Sequence, residues 1–270
     1  MKFEIPSKTP QYFFNFKLII MRKYILSIGL ALICSFMWWA CSKDAGVSPA
    51  SDTGKSGSLA RFAIVGNFMY TASEYNVKIY NISTPIVPQF IATTRIGWGV
   101  ETMFAYGKNL FLGSRNGVYM YEIQSDGTIV YKSYYQHFNT CDPVVADGSF
   151  AYSTIRSGWD CRVKDSINEL QILDVSDIKT PKLLSTVKMT FPIGLGVNGN
   201  DLFVCDKEGV RILDVTDRTK PKEVHYLKNI DAVDVIVLDK HLLIIGKENL
   251  TQVSYKDRAN PTVVSTLSLK

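Results

Sequence analysis

Val210-Arg211-Ile212-Leu213-Asp214-Val215-Thr216, running on to Pro221, is the stretch from which the fold can be read. Forty residues earlier the same pattern reads Leu170-Gln171-Ile172-Leu173-Asp174-Val175-Ser176, running on to Pro181. It returns as Val77-Lys78-Ile79-Tyr80-Asn81-Ile82-Ser83 with Pro88, and in reduced form as Leu250-Thr251-Gln252-Val253-Ser254-Tyr255 with Pro261. In each copy the proline stands seven residues after the Asp, Asn or Ser, and Pro181, Pro221 and Pro261 are forty apart. A fixed period of this length marks a repeat architecture, in which one supersecondary unit is copied and neighbouring copies bury a continuous core.

Working outward from the motif, each unit holds four short runs of β-branched and aromatic residues between Gly, Asn, Asp or Pro turns, the pattern of strands joined by hairpins. The runs of the first unit are 62–65, 68–72, 77–82 and 89–93. In the second they are 103–106, 110–113, 118–123 and 128–135, the last entered through Asp126-Gly127 because the proline is missing. The third has 143–145, 150–152 and 170–175, with an inserted loop expected over 155–166. The fourth has 195–197, 202–204 and 210 onward, and the fifth 235–237, 242–245, 250–255 and 262–269. The proline suits the turn into the fourth strand, where its fixed φ helps and its missing N–H costs no interior ladder bond. Four strands in about 40 residues, repeated, predict an all-β, five-bladed β-propeller of four-stranded antiparallel blades over 59–270. No segment carries the 3.6-residue apolar period of a helical array. Both ends fall at a unit boundary, so no strand exchange is expected to close the ring, although 56–60 could add an edge strand.

These residues resemble a known family. The stretches 170–176 and 210–216 look like the LVIVD repeat, found in bacterial surface proteins and expected to form β-propellers. Cys141-Asp142-Pro143-Val144-Val145, with Tyr152, Arg156, Cys161 and Asn168, looks like the cysteine-bearing blade of lipoproteins in that family. The resemblance extends over 59–270 and is strongest in 141–221; units two and five depart from it. It implies a surface or periplasmic lipoprotein with no assigned reaction.

The N-terminus reads as an address. Met21-Arg22-Lys23-Tyr24, the apolar run 25–40 and then Cys41 have the layout of a signal peptide, and sixteen residues are short for a membrane-spanning helix. Ala40-Cys41 resembles a bacterial lipobox, with Trp38 in place of the usual Leu, and makes Cys41 the expected lipidated residue. Residues 1–40 are thus an upstream extension plus lipoprotein signal peptide, with translation expected to start at Met21. Residues 41–58, rich in Ser, Gly, Ala and Asp, are the expected flexible tether. The formal charge of +5 is concentrated in residues 1–40. Lys2, Lys8, Lys17, Arg22 and Lys23 against Glu4 leave 25 basic and 24 acidic residues in 41–270, a net of +1. That balance, with no basic run, argues against nucleic acid as a partner.

Few residues suggest chemistry. Cys141 and Cys161 lie in one unit of an exported chain and are expected to form a disulfide, whereas Cys205 reads as a buried free thiol. No histidine or cysteine stands at zinc spacing, so no metal is expected. His137, His225 and His241 pair with no nucleophile, no phosphate loop or nucleophile elbow occurs, and no cofactor is expected. Aligning the units on their second strands puts Asp142 and Asp234 at equivalent positions before the first strand, with Thr102 and Gly194 at the same level and Glu101 nearby. If that strand is innermost, these residues ring one mouth of a central channel, with Arg156 as the internal partner of Asp142. Asp142, Arg156, Asp234 and Thr102 are therefore the expected ligand-binding residues, and no residue is assigned to catalysis. The expected function is a lipid-anchored, monomeric propeller in the outer membrane, on its periplasmic or cell-surface face, acting as a non-catalytic binding or scaffold module. Its partner would be an envelope protein or a glycan. The alternative is a glycoside hydrolase-like enzyme using channel-mouth carboxylates, Asp142 and Asp234 or Glu101, which need a set separation.

Overall fold

The computed structural model describes residues 56–137, 143–158 and 163–270. Cys41, Cys141, Asp142 and Cys161 lie outside them, and with them the lipidation site, the disulfide and one of the two expected channel carboxylates. Among the described residues there is no helix, only strands and turns.

The described residues form twenty strands in five four-stranded antiparallel sheets, each built from consecutive strands. The first is β1 (Phe62–Val65), β2 (Phe68–Ala72), β3 (Asn76–Asn81) and β4 (Gln89–Arg95). The second is β5 (Val100–Tyr106), β6 (Asn109–Ser114), β7 (Gly117–Ile123) and β8 (Ile129–Gln136). The third is β9 (Val144–Asp147), β10 (Phe150–Gly158), β11 (Val163–Asp174) and β12 (Lys182–Lys188). The fourth is β13 (Pro192–Asn198), β14 (Asp201–Asp206), β15 (Gly209–Asp214) and β16 (Lys222–Lys228). The fifth is β17 (Asp234–Val237), β18 (His241–Ile245), β19 (Asn249–Ser254) and β20 (Thr262–Ser268). Residues of β1, β5, β9, β13 and β17 all line one cavity of about 200 Å³, so the first strand of every sheet is the inner one. The arrangement, five four-stranded sheets with their first strands around one cavity, is consistent with a five-bladed propeller, and among the described residues no sheet is shared between units to close it.

Local chemistry explains the elements. Four of the five inner hairpins turn at Gly66, Gly107, Gly148 and Gly199, all with φ between 54° and 59°, the left-handed region open to glycine. The motif's aspartates cap the turn before the outer strand: Asp174 Oδ1 accepts Ser176 N at 2.9 Å and Asp214 Oδ1 accepts Thr216 N at 2.8 Å. The adjoining ladder slips by one residue at the same place in every sheet, between Ile79/Tyr80, Met120/Tyr121, Ile172/Leu173, Ile212/Leu213 and Gln252/Val253. That shared bulge bends the outer strand of each unit in the same way.

Two expectations are corrected. The stretch 155–166 is not all loop: β10 runs to Gly158 and β11 starts at Val163, with Ile155 opposite Glu169 and Gly158 opposite Val163. Residues 56–60 add no edge strand, and Gly57 and Ser58, at the end of the expected tether, are buried.

Between the sheets lie four apolar cores. They join the first sheet to the second around Tyr70 and Leu110, and the second to the third around Phe111 and Val144. The others join the third to the fourth around Tyr152 and Leu195, and the fourth to the fifth around Phe203 and Val235. Among the described residues no such core joins the fifth to the first; a cavity of about 540 Å³ lies there, bordered by Phe62, Ile64, Ile236 and Ile245. Cys205 is free and wholly buried in the fourth core, as the sequence led one to expect.

Candidate functional site

The chain enters the inner strands at one end, and there the sequence placed its ligand-binding residues. The hairpin registers define the ring. Thr102 pairs with Gly113, Asp234 with Ile245, and Thr154 N donates to Pro143 O at 3.4 Å. Counted from the inner turns, Arg61, Thr102, Pro143, Gly194 and Asp234 stand at one level. The expected alignment holds for Thr102, Gly194 and Asp234, and Asp142 lies outside the described residues.

Asp234 is 5% exposed and is occupied by the chain itself. Its Oδ1 accepts Ser58 N at 3.2 Å, Ser58 Oγ at 2.8 Å and Val235 N at 2.9 Å, and its Oδ2 accepts Leu59 N at 3.0 Å. Ser58 Oγ in turn accepts Leu195 N at 2.9 Å, and Ala60 O accepts Met103 N at 2.7 Å. The segment 57–60 thus crosses the ring and fastens the first sheet to the second, fourth and fifth. Gly57 and Gly194 both lie against the Asp234 carboxylate, where a Cβ at either would overlap it, so the clasp needs glycine on two sides. Burial raises the Asp234 pKa above the usual carboxylate value, against the pull of its four donors. In this arrangement the carboxylate anchors the segment 57–60.

Beside the clasp is a second pocket of about 230 Å³, and Thr102 and Arg156 both line it. Leu59 borders this pocket and the seam cavity that Asp234 borders, so it stands between the two groups. Arg61 also lines the pocket, and its Nε donates to Glu101 O at 3.1 Å. Glu101 also lines the pocket, and its carboxylate is held by Arg115 Nε at 2.9 Å. Arg156 is half-buried, with its guanidinium 4.8 Å from the Phe191 ring centre.

Phe191 is itself fixed by a buried carboxylate. Asp206 accepts the amides of Thr190, Phe191 and Lys207 and the Arg211 Nε at 2.7 Å. Burial opposes its ionisation, yet the Phe191 and Thr190 amides and the Arg211 guanidinium hold Asp206 below the ordinary range. Arg211 stacks on Tyr226 and reaches Glu223, which completes the brace. Sequence reasoning singled out neither Arg61 nor Asp206. Arg61 could have been found by carrying the strand alignment into the first unit. Asp206 ends β14 and gives no local sign of the turn it holds, sixteen residues away at Thr190.

Among the described residues no group of three or more His, Cys, Asp or Glu could hold a metal ion. The mouth is lined by Arg61, Thr102 and Arg156, and among the described residues the carboxylates beside it, Glu101 and Asp234, are engaged by Arg115 and by the segment 58–59.

Comparison with known proteins agrees with this architecture. The LVIVD repeat model matches residues 163–189 and 194–227, so these stretches, which contain the two clearest motif copies, carry that repeat. A search of curated proteins gives no match. Among solved structures the chain is similar to a protein from Lactobacillus plantarum at 11% identity and a TM-score of 0.59, over 76% of this chain and 73% of that one. It is similar to a functionally unknown protein from Desulfotomaculum acetoxidans at 9% identity and a TM-score of 0.58, over 81% and 69%. It is also similar to the periplasmic gluconolactonase of Pseudomonas aeruginosa at 13% identity and a TM-score of 0.56, over 75% and 66%. At these identities the likeness is one of fold, and the neighbours are propeller-type proteins.

Proposed function

We propose that residues 59–270 form a five-bladed β-propeller that acts as a non-catalytic binding or scaffold module. A lipid on Cys41 would hold it at the outer membrane, on the periplasmic or cell-surface face, as a monomer whose partner is an envelope protein or a glycan. The observation that carries the binding reading is the state of Asp234. The alternative enzyme needs two free carboxylates across the channel mouth, and Asp234 is buried under four donors of its own chain. A carboxylate so enclosed cannot reach a glycosidic bond at a set distance from a second acid. The LVIVD repeats in 163–227 support the envelope setting, since that repeat resembles those of bacterial surface proteins. Fold alone does not choose between binding and catalysis, because propellers host many functions.

One second reading has an observation behind it: a fold neighbour is a periplasmic gluconolactonase. On that reading the pocket at Arg61 and Arg156 would open a sugar lactone. A single experiment separates the two. The purified chain is presented with sugars, sugar acids and lactones, and both binding and product are measured. Saturable binding without product supports the module; product formed in proportion to protein replaces it with the enzyme. For the anchor, Cys41→Ser is expected to release the chain from membranes, and a variant that still partitions with them after signal cleavage removes that part of the proposal.

A further inference from the structure

We propose that the free edge of β20 pairs with the same edge of a second copy of this chain, antiparallel and about a two-fold axis at Leu267. This surface belongs to an outer strand and plays no part in the binding reading. Every residue of β20 is exposed, and among the described residues its only partner strand is β19. It is also the one outer strand of the five without a charged side chain. The others carry Arg95 in β4, Lys132 in β8, Lys182 and Lys188 in β12, and Lys222, Glu223 and Lys228 in β16. β20 reads Thr262-Val263-Val264-Ser265-Thr266-Leu267-Ser268. Charged side chains on an edge strand oppose its pairing with another chain, and an uncharged edge rich in β-branched residues invites it.

The register sets where the pairing falls. The bulge between Gln252 and Val253 distorts the first half of the strand, and the ladder is regular from Ser265 on. Leu269 N donates to Glu248 O at 2.7 Å on the β19 side, so the alternation of an antiparallel ladder turns the amides of Thr266 and Ser268 to the free edge. A two-fold axis at Leu267 sets Thr266 of one copy opposite Ser268 of the other, both with outward amides, and Leu267 opposite itself. That central pair is of the non-hydrogen-bonded kind, in which side chains stand closest, and Leu267 is 63% exposed in one copy. The segment therefore matches itself, amide to carbonyl on both flanks and leucine to leucine at the centre. Arg95, Lys188 and Lys228 stand at the register position of Ser268 in three other sheets, where the same pairing would gather like charges. The nearest charge after β20, Lys270, lies past the strand and is held by Glu248 at 2.8 Å. A ladder this short buries far less than the roughly 1,200–2,000 Å² of a stable interface, so the chain stays monomeric when dilute. Copies confined to one membrane surface by the proposed lipid would meet at a much higher effective concentration.

The test is sedimentation equilibrium of the full chain from micromolar to millimolar concentration, with Cys41→Ser to keep lipid out of the measurement. A reversible monomer–dimer equilibrium is expected that stops at two, because a two-fold contact closes on itself. Leu267→Lys, at an exposed side chain, is expected to leave the melting temperature unchanged. It should weaken the dimer roughly tenfold or more by setting two ammonium groups face to face. Ser268→Pro removes an amide that serves only the free edge, and is expected to abolish the dimer while β20 stays paired with β19. Ile86→Lys, on the exposed turn of the first sheet, is expected to change nothing. A chain monomeric throughout the range, a dimer untouched by either β20 variant, or species that grow past two would each overturn the pairing. Loss of the dimer in Ile86→Lys would place the contact at the open seam and overturn it as well. None of these outcomes bears on what the mouth binds, so the binding module stands or falls separately.

Discussion

Four of the five boundaries between neighbouring sheets are closed and one is open, although the same unit supplies both sides of each. At every closed boundary the turn before the outer strand, or the side chain opposite it, latches one sheet to its predecessor. Tyr70 OH donates to Gly127 O at 3.0 Å between the first two sheets, and Ser133 Oγ donates to Ile178 O between the second and third. Ser185 Oγ donates to Arg218 O at 2.6 Å, with Arg218 over the Phe150 ring at 4.7 Å, between the third and fourth. Between the fourth and fifth, Arg258 reaches Asp201 at 2.6 Å and Asp214 at 2.7 Å. Ile178, Arg218 and Arg258 each stand three residues before the motif proline. At the open boundary the corresponding turn of the first sheet leaves Ile86 93% exposed, and all of β20, its would-be receptor, is exposed. Among the described residues only the clasp on Asp234 spans that gap with hydrogen bonds.

The difference teaches that repetition and closure are separate problems. Each unit buries its own hairpins and one neighbour through local sequence, and such arrays gain stability largely as a sum of nearest-neighbour terms. Closing the ring demands one further contact between residues 176 positions apart, and its loop-closure cost must be met by that contact alone. Here a single carboxylate and a short segment meet it, without an apolar core behind them.

The contrast can be broken most directly by cutting cores. Phe203 is wholly buried between the fourth and fifth sheets and packs edge-on against Tyr255 at 4.8 Å. Phe203→Ala is expected to cost about 3–5 kcal/mol in chemical denaturation. Ile236→Ala, on the open seam, is expected to cost about 1 kcal/mol or less. Equal losses would mean that the seam is as well packed as the rest.

The clasp comes next. Asp234→Ala strands the amides of Ser58 and Leu59, and an unpaired buried donor costs about 1–3 kcal/mol. We expect a loss of that order, and proteolysis at 56–60 faster than in the unaltered chain. An unchanged cleavage rate would show that the segment is held by something other than Asp234. A smaller effect belongs to the latches: Tyr70→Phe removes only the bond to Gly127 O and should cost about 1 kcal/mol. The smallest concerns acidity. Hydrogen bonds from Thr216 and the Arg258 guanidinium hold Asp214 at about 2. Its folded pKa lies below the unfolded value, so its contribution is present above about pH 4 and fades as pH falls toward 2. Arg258→Gln should flatten that part of the pH–stability curve, and an identical slope would exclude the ion pair as its source.

Much of this was legible in the sequence, for identifiable reasons. Inner turns and outer prolines are local signals, and 62–65 and 68–72 were read to the residue because Gly66-Asn67 fixes the hairpin between them. The long hairpin of the third sheet was missed because Arg156, Lys164, Asp165 and Ser166 break the apolar alternation that marks a strand. Thr102 and Arg156 were rightly brought to one mouth, and Asp234 was rightly placed at its level. Its role was not readable, because Ser58 lies 176 residues away and a polar tether gives no sign of docking. The open seam was equally hidden, since a count of units says nothing about the angle each one fills.

The clasp also fixes how the molecule would respond to tension. A pull on the chain before Ser56 arrives first at Ser58 and Leu59, where three hydrogen bonds converge on one carboxylate and are loaded together. Because Ser58 Oγ is tied to Leu195 as well, the load divides between the fourth and fifth sheets before β1 feels it. Force therefore does not peel the first strand from its neighbour one bond at a time. It meets a small knot seated on two sheets, and the yield point of the whole ring against such a pull is the strength of that knot.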